Sequence, residues 1–223
     1  MDETSGRALV LVARPTPSGV DGRSLARLAA TVAARVPGPV RVAHLDQEDP
    51  SVPAVLDALA SAGTPAVLLV PLAVPADRYL TTWIGRAVAH WRASTPDPGE
   101  AGPDVRIAPD LTALAADAVV ELAEAEGVRI TASASGFASP AWSVLDVPDR
   151  HLFVCRGPRC LVHGAGATHR ALAEAVKGTS TQVTPCGCLG PCNLGPLVVE
   201  HPEGTWHTDV DPLRARDLAS QRR

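Results

Sequence analysis

Cysteine is absent from most of this chain. All five cysteines stand between residues 155 and 192, and the rest of the 223 residues has none. Buried cysteines that act only as small hydrophobes would be scattered, so the clustering argues for a shared task. Aromatic residues make up 3% of the chain, so a core must come mainly from Ala, Val and Leu within the 46% that is hydrophobic. No apolar run nears the roughly 20 residues that a membrane span needs, so no membrane partner is expected. Basic runs are short, ending with Arg222-Arg223, and the net charge is −4, which argues against nucleic acid. Met1-Asp-Glu-Thr-Ser5 lacks the basic start and apolar stretch of a secretory signal. The expectation is a cytoplasmic protein whose thiols stay reduced and open to metal.

Two cysteine pairs stand out. Cys155 and Cys160 enclose four residues in Cys155-Arg-Gly-Pro-Arg-Cys160. Cys188 and Cys192 enclose three in Cys186-Gly-Cys188-Leu-Gly-Pro-Cys192. Thiolates are soft ligands, and four of them suit an Fe–S cluster or zinc. Glycine and proline around each pair let backbone N–H groups turn toward sulfur, and such hydrogen bonds tune a cluster's potential. Disulfides fit poorly with an odd count and no signal. Zinc sites favour spacings of about two to four residues, which Cys188 and Cys192 satisfy. On the residues alone, an Fe–S cluster and structural zinc both stay open.

The run His151-Leu-Phe-Val-Cys155-Arg-Gly-Pro-Arg-Cys160-Leu-Val-His-Gly-Ala165 resembles the opening of the thioredoxin-like [2Fe–2S] ferredoxins. The run from Cys188 to Trp206, with its Cys-Leu-Gly-Pro-Cys loop, Gly195-Pro196 and a hairpin carrying an aromatic, resembles their second half. The cluster-binding subunit of respiratory complex I has the same arrangement. The likeness covers residues 150–212. It implies a [2Fe–2S] cluster held by Cys155, Cys160, Cys188 and Cys192, used for one-electron transfer or redox sensing. Cys186 has no ligand role in that pattern, which leaves it a spare thiol, an alternative ligand or a redox-sensitive position. From His151 onward eight Lys/Arg face six Asp/Glu, a balance of +2, against −6 for the remainder. Arg156 and Arg159, in the first ligand loop, read either as solvated charge or as a docking spot for an acidic redox partner.

Before this region, strand-like and helix-like stretches alternate. Apolar runs of strand length occupy 8–13, 40–45 and 66–71, with a shorter one at 105–108. Helical patterns occupy 22–36, 52–62, 78–92 and 111–126. That order predicts an α/β fold with a parallel sheet covered by helices on both faces. Ala66-Val-Leu-Leu-Val-Pro71, apolar throughout, reads as a strand buried on both sides. Ligands of such sheets gather at the carboxyl ends of the strands, here 14–18, 46–50, 71–79 and 109–112. The expected organisation is a domain over 1–127, a linker over 128–150 with a short strand at 128–131, and a ferredoxin domain over 151–223. In the latter, strands are expected at 151–154 and 182–184, a helix at 167–177, a hairpin at 197–201 and 205–210, and a final helix from 213.

The first domain resembles the small class II tetrapyrrole chelatases, the CbiX-type sirohydrochlorin cobalt- or ferrochelatases. The likeness rests on strand one, on Asp49-Pro-Ser-Val52 and on Leu68-Leu-Val-Pro-Leu72. It implies a flavodoxin-like sheet, a tetrapyrrole ligand and, by analogy, a homodimer. That family places one histidine after strand one and another after strand three. Here Arg14, Pro15 and Thr16 take the first place and Tyr79 the second. Arginine stays protonated and cannot ligate metal, and tyrosine ionises only near pH 10. His44 and His90 read as structural. The expectation is a scaffold without chelatase chemistry, whose Arg14, Thr16, Pro71 and Tyr79 line a pocket for an anionic macrocycle. An active chelatase and a zinc-stabilised interaction protein are the alternatives.

Overall fold

The computed structural model describes residues 6–15, 22–94, 102–123, 125–131, 147–190 and 193–221. Four strands build the N-terminal sheet: β1 (Arg7–Ala13), β2 (Val40–His44), β3 (Ala66–Pro71) and β4 (Asp104–Ile107). All neighbours run parallel, in the order β2-β1-β3-β4. This order, reversing between the first strand and the third, is the flavodoxin-like one. Helices α1 (Gly22–Ala33), α2 (Val52–Ser61), α3 (Arg78–Ser94) and α4 (Thr112–Leu122) follow the strands in turn.

The core forms where branched strand residues meet two of these helices. Val10, Val12, Val67 and Leu69 pack with Val55, Leu56 and Leu59 of α2 and Leu80, Ile84 and Trp91 of α3. Each such side chain contributes about 1.5–3 kcal/mol by leaving water. The Ser51 hydroxyl starts α2 by accepting from the Ala54 N–H at 3.3 Å, and Gly63 with φ +70° turns the chain away after it. The other two helices bury little. Leu25 is the buried residue of α1, and α4 has none, with Leu114 and Val120 about 70% exposed. β3 likewise buries only alternate residues fully, Val67, Leu69 and Pro71. Its uniform apolarity had pointed to two equally covered faces, and the thin cover by α1 and α4 explains the difference.

The C-terminal sheet contains β5 (Arg150–Cys155), β6 (Thr181–Cys186), β7 (Val198–His201) and β8 (Thr205–His207), in the order β6-β5-β7-β8. β5 and β6 are parallel, joined through α5 (Pro158–Val162) and α6 (Ala165–Ala175), while β7 and β8 form an antiparallel hairpin beside β5. The chain turns between them with Gly204 at φ +70°. α7 (Pro212–Ser220) packs Ala215 and Leu218 against Leu152, Val154 and Leu172. α5 was not expected from periodicity, because a five-residue helix offers no repeat to read. The hairpin also ends at His207 instead of Val210. Val128–Thr131 forms no strand, with Val128 and Ile130 about 90% exposed. Most of the expected linker, 132–146, lies outside the described residues, as do Thr16 and Cys192.

One buried charge ties this sheet to the chain's end. Glu200 on β7 is 1% exposed. It accepts from Arg150 Nε at 2.6 Å and contacts His207 Nε2 at 2.9 Å. Burial alone would raise its pKa, but the contacts to Arg150 and His207 outweigh it and hold the carboxyl below the usual range. A depressed folded-state pKa gives stability that is present above the unfolded carboxyl range and is lost as pH falls through the folded value. Glu200→Ala should cost about 3–5 kcal/mol in urea denaturation at neutral pH, because Arg150 keeps its burial and loses its partner. The gap from wild type should narrow in acid.

Candidate cluster site and the joint between the sheets

β5 and β6 end side by side, with Cys155 and Cys186 as register partners. The Cys155 N–H donates to the Leu197 carbonyl and the Arg156 N–H to the Cys186 carbonyl, each at 2.9 Å. Cys160 sits on α5, and Cys188 follows β6 in a loop. Cys155 and Cys160 are buried, whereas Cys188 is exposed. Backbone closeness at two glycines holds these parts together. A Cβ on Gly157 would stand 2.8 Å from Cys188 Cβ and 2.9 Å from its Cα. One on Gly195 would stand 2.8 Å from Cys160 Sγ. Glycine near the cysteines was expected to let backbone N–H groups turn toward sulfur, and close approach is a further physical reason for it.

The thiols are electrostatically distinct. Cys155 is drawn down to about 6, chiefly by the Cys160 thiol, against burial, with help from the Leu189 and Gly157 N–H groups and the Cys188 thiol. Cys186 is pushed up to about 11, by burial first and then by the charges of Cys155 and Cys188. Its thiol donates to the Val154 carbonyl at 3.3 Å, as a neutral S–H does. Among the described residues, no group of three or more His, Cys, Asp or Glu side chains already stands in metal-holding geometry. The donor chemistry nevertheless fits a thiolate-bound group. Cys155, Cys160 and Cys188 interact with one another, backbone N–H groups favour the thiolate, and the glycines leave the contact free of side chains. The fourth expected ligand, Cys192, is outside the described residues.

The first ligand loop is also where the halves of the molecule meet. Gln47, in the loop between β2 and α2 and with φ +66°, donates its N–H to the Arg156 carbonyl at 2.9 Å. Asp49 reaches Arg170 at 2.7 Å and Arg156 at 3.9 Å, and its carboxylate lies over Gly166, where a Cβ would collide with it. Arg156 is buried and faces Asp49. Arg159 does not stand free in solvent either; its guanidinium carbon lies 4.7 Å from the Trp83 ring centroid. Asp49 and Arg170 are the residues that sequence reasoning missed. The acidic loop at a strand's carboxyl end was visible, but its partner on another sheet was not.

At the strand ends, Arg14 stacks 4.4 Å from the Tyr79 ring centroid, and Pro71 ends β3 opposite Val12 of β1. The guanidinium is already answered by two carboxylates, Asp46 Oδ2 at 3.5 Å and Asp77 Oδ2 at 3.3 Å. Asp77 also caps α3, accepting from the N–H groups of Tyr79 and Leu80. Burial raises the Asp46 pKa against the pull of Arg14, and Asp46 Oδ1 has no hydrogen-bond partner among the described residues. Burial and the neighbouring Asp46 likewise raise Tyr79 above the phenol's ordinary value. His44 is buried 3.8 Å from Glu48, and His90 stacks edge-on against His163 across the joint.

The C-terminal half combines the sheet order β6-β5-β7-β8 with thiols gathered at the ends of β5 and β6. No family model matches the chain. A [2Fe–2S] ferredoxin from Aquifex aeolicus (strain VF5) is 32% identical over 76 residues, covering 28% of this chain and 68% of that protein. Through this half, the chain belongs to the [2Fe–2S] ferredoxin family. The crystal structure of the wild-type thioredoxin-like [2Fe–2S] ferredoxin from Aquifex aeolicus matches at 29% identity and a TM-score of 0.28, over 31% of this chain and 80% of that one. A structure described as a cobalamin (vitamin B12) biosynthesis CbiX protein, from Marinobacter aquaeolei VT8, is 19% identical, with a TM-score of 0.41 over 52% of this chain and 94% of that one. No described helix is long and apolar enough to cross a membrane.

The close approach at Gly157 generates a test. Its φ of −62° is one that alanine adopts freely, so the added methyl acts only through the clash with Cys188. Gly157→Ala should lower the unfolding free energy by about 1–3 kcal/mol in urea titration, as overpacking does. An unchanged midpoint would mean that the Cys188 loop is free to move aside.

Proposed function

We propose that the chain carries one [2Fe–2S] cluster on Cys155, Cys160, Cys188 and Cys192 and works as a one-electron carrier or redox sensor. The observation that carries this is the meeting of three of these thiols at glycines that admit no side chain. Bound there, the cluster supplies one-electron redox chemistry. The protein's own part is to hold thiolates, donate backbone N–H groups from Gly157 and Leu189, and keep Cys155 and Cys160 away from water. A redox partner approaches from the exposed side, at Cys188 and at Trp206 beside Gly190. Protein purified without oxygen should carry about two irons and two sulfides per chain. Stoichiometric zinc without sulfide would select the structural-zinc alternative. Cys188→Ser should lose the visible absorption and Cys186→Ser keep it, because Cys186 stands two residues before Cys188, outside the Cys-Leu-Gly-Pro-Cys loop, and burial with the neighbouring thiols pushes its thiol up to about 11. The reverse result would reassign the ligands.

The N-terminal half serves on this reading as a scaffold and not as a chelatase. A divalent ion arriving beside Arg14 meets a fixed positive charge. At about 4 Å and an effective dielectric near 20, that repulsion is roughly 8 kcal/mol for a double charge. Asp46 and Asp77 offset that repulsion, but both are held by Arg14 and neither supplies an imidazole. Tyr79, held above its ordinary pKa, is no substitute for imidazole as ligand or base. Cobalt insertion into sirohydrochlorin, followed by absorbance, should proceed no faster than without protein. Turnover abolished by Arg14→Ala or Tyr79→Phe would show a working site instead.

A further inference from the structure

On the other side of the joint from Asp49, the cationic side chains lack such partners. α3 and α5 enclose a cavity of about 270 Å³. Trp83, Arg86 and His90 of α3 face it from one half, and Arg159 and His163 from the other, with Asn193 beside them. Both guanidinium carbons lie 4.7 Å from the same indole centroid. An aromatic face attracts a cation without neutralising it. Neither Arg86 nor Arg159 has a carboxylate within ion-pair range among the described residues, and no acidic residue lines the cavity. At Asp49, by contrast, each arginine that crosses the joint meets a carboxylate.

We propose that this cavity binds a small organic anion, an apolar ring bearing one carboxylate or phosphate group. Arg86 and Arg159 hold the acidic group, since guanidinium forks match carboxylate and phosphate oxygens. Ala87, Val162 and the Trp83 edge accept the ring. The volume falls just below the roughly 300–1,000 Å³ of drug-sized sites, which excludes a macrocycle. Two unpaired guanidiniums exclude a metal ion. A ligand here touches both halves of the chain, so it stabilises the joint as well as itself. The proposal does not rest on a bound cluster, although Arg159 adjoins Cys160.

The test uses the full chain, titrated calorimetrically with benzoate, with phenyl phosphate and with inorganic phosphate. At least one aromatic anion should bind saturably, one per chain, and raise the unfolding temperature. The arm that binds tells whether carboxylate or phosphate is the natural head group. Arg86→Gln and Arg159→Gln should each weaken that binding about tenfold or more. Arg86 is exposed and far from the cysteines in sequence, so its variant tests the site even if the change next to Cys160 disturbs folding. Circular dichroism checks that each variant is folded. No saturable binding of either aromatic anion would overturn the proposal. So would binding that Arg86→Gln leaves unchanged, or inorganic phosphate binding as tightly as phenyl phosphate.

Discussion

A guanidinium buried next to Cys155 needs a counter-charge close by, and this requirement joins the two halves of the molecule. Arg156 follows Cys155 directly and is 9% exposed. Burial pulls its pKa down, and the carboxylate of Asp49 opposes that pull. Leaving such a charge uncompensated costs several kcal/mol, so the loop that carries Asp49 has to stay against the ligand loop. Gln47 accepts a left-handed backbone to keep its N–H on the Arg156 carbonyl, which is the kind of local strain that persists only when the surroundings demand it. Gly166 completes the fit by having no side chain where Asp49 lies. Because the Asp49 loop sits at the carboxyl end of β2, the C-terminal half occupies part of the edge where an open α/β sheet ordinarily takes its ligand.

Local signals carried most of the secondary structure. The strands and helices of both halves were legible because apolar periodicity, Ser51 at a helix start and glycine at turns act within a few residues. The same signals misjudged coverage. α4 has the apolar content of a packed helix, yet Leu114 and Val120 face outward. Periodicity states which face is apolar and says nothing of what lies against it. The cysteines proposed as ligands stood out by their spacing and their loops. The joint did not, because Asp49 and Arg170 are 121 positions apart and neither stands in a motif.

Arg14 links the carboxyl ends of neighbouring strands. The residue stands where β1 ends, between carboxylates supplied by the ends of β2 and by the cap of α3. Those carboxylates need a cation, and arginine provides one that is permanently present and covalently attached. The fold gains linked strand ends, and Arg14 also stacks on Tyr79, so the cluster is closed on its α3 side as well.

Cys155 and Cys186 are register partners at the ends of adjacent parallel strands, and by sequence either could serve a metal. Their surroundings separate them. Cys155 faces two thiols and two backbone N–H groups, all of which favour the thiolate. Cys186 faces a carbonyl oxygen, which needs a proton on sulfur. The loops produce this split, since they bring the Gly157 and Leu189 N–H groups to Cys155 while Cys186, still on its strand, meets the Val154 carbonyl. A second thiolate at Cys186 would add a like charge beside Cys155 and Cys188, and both already push its pKa up. The backbone thus selects which cysteine is available as a soft ligand before any metal arrives.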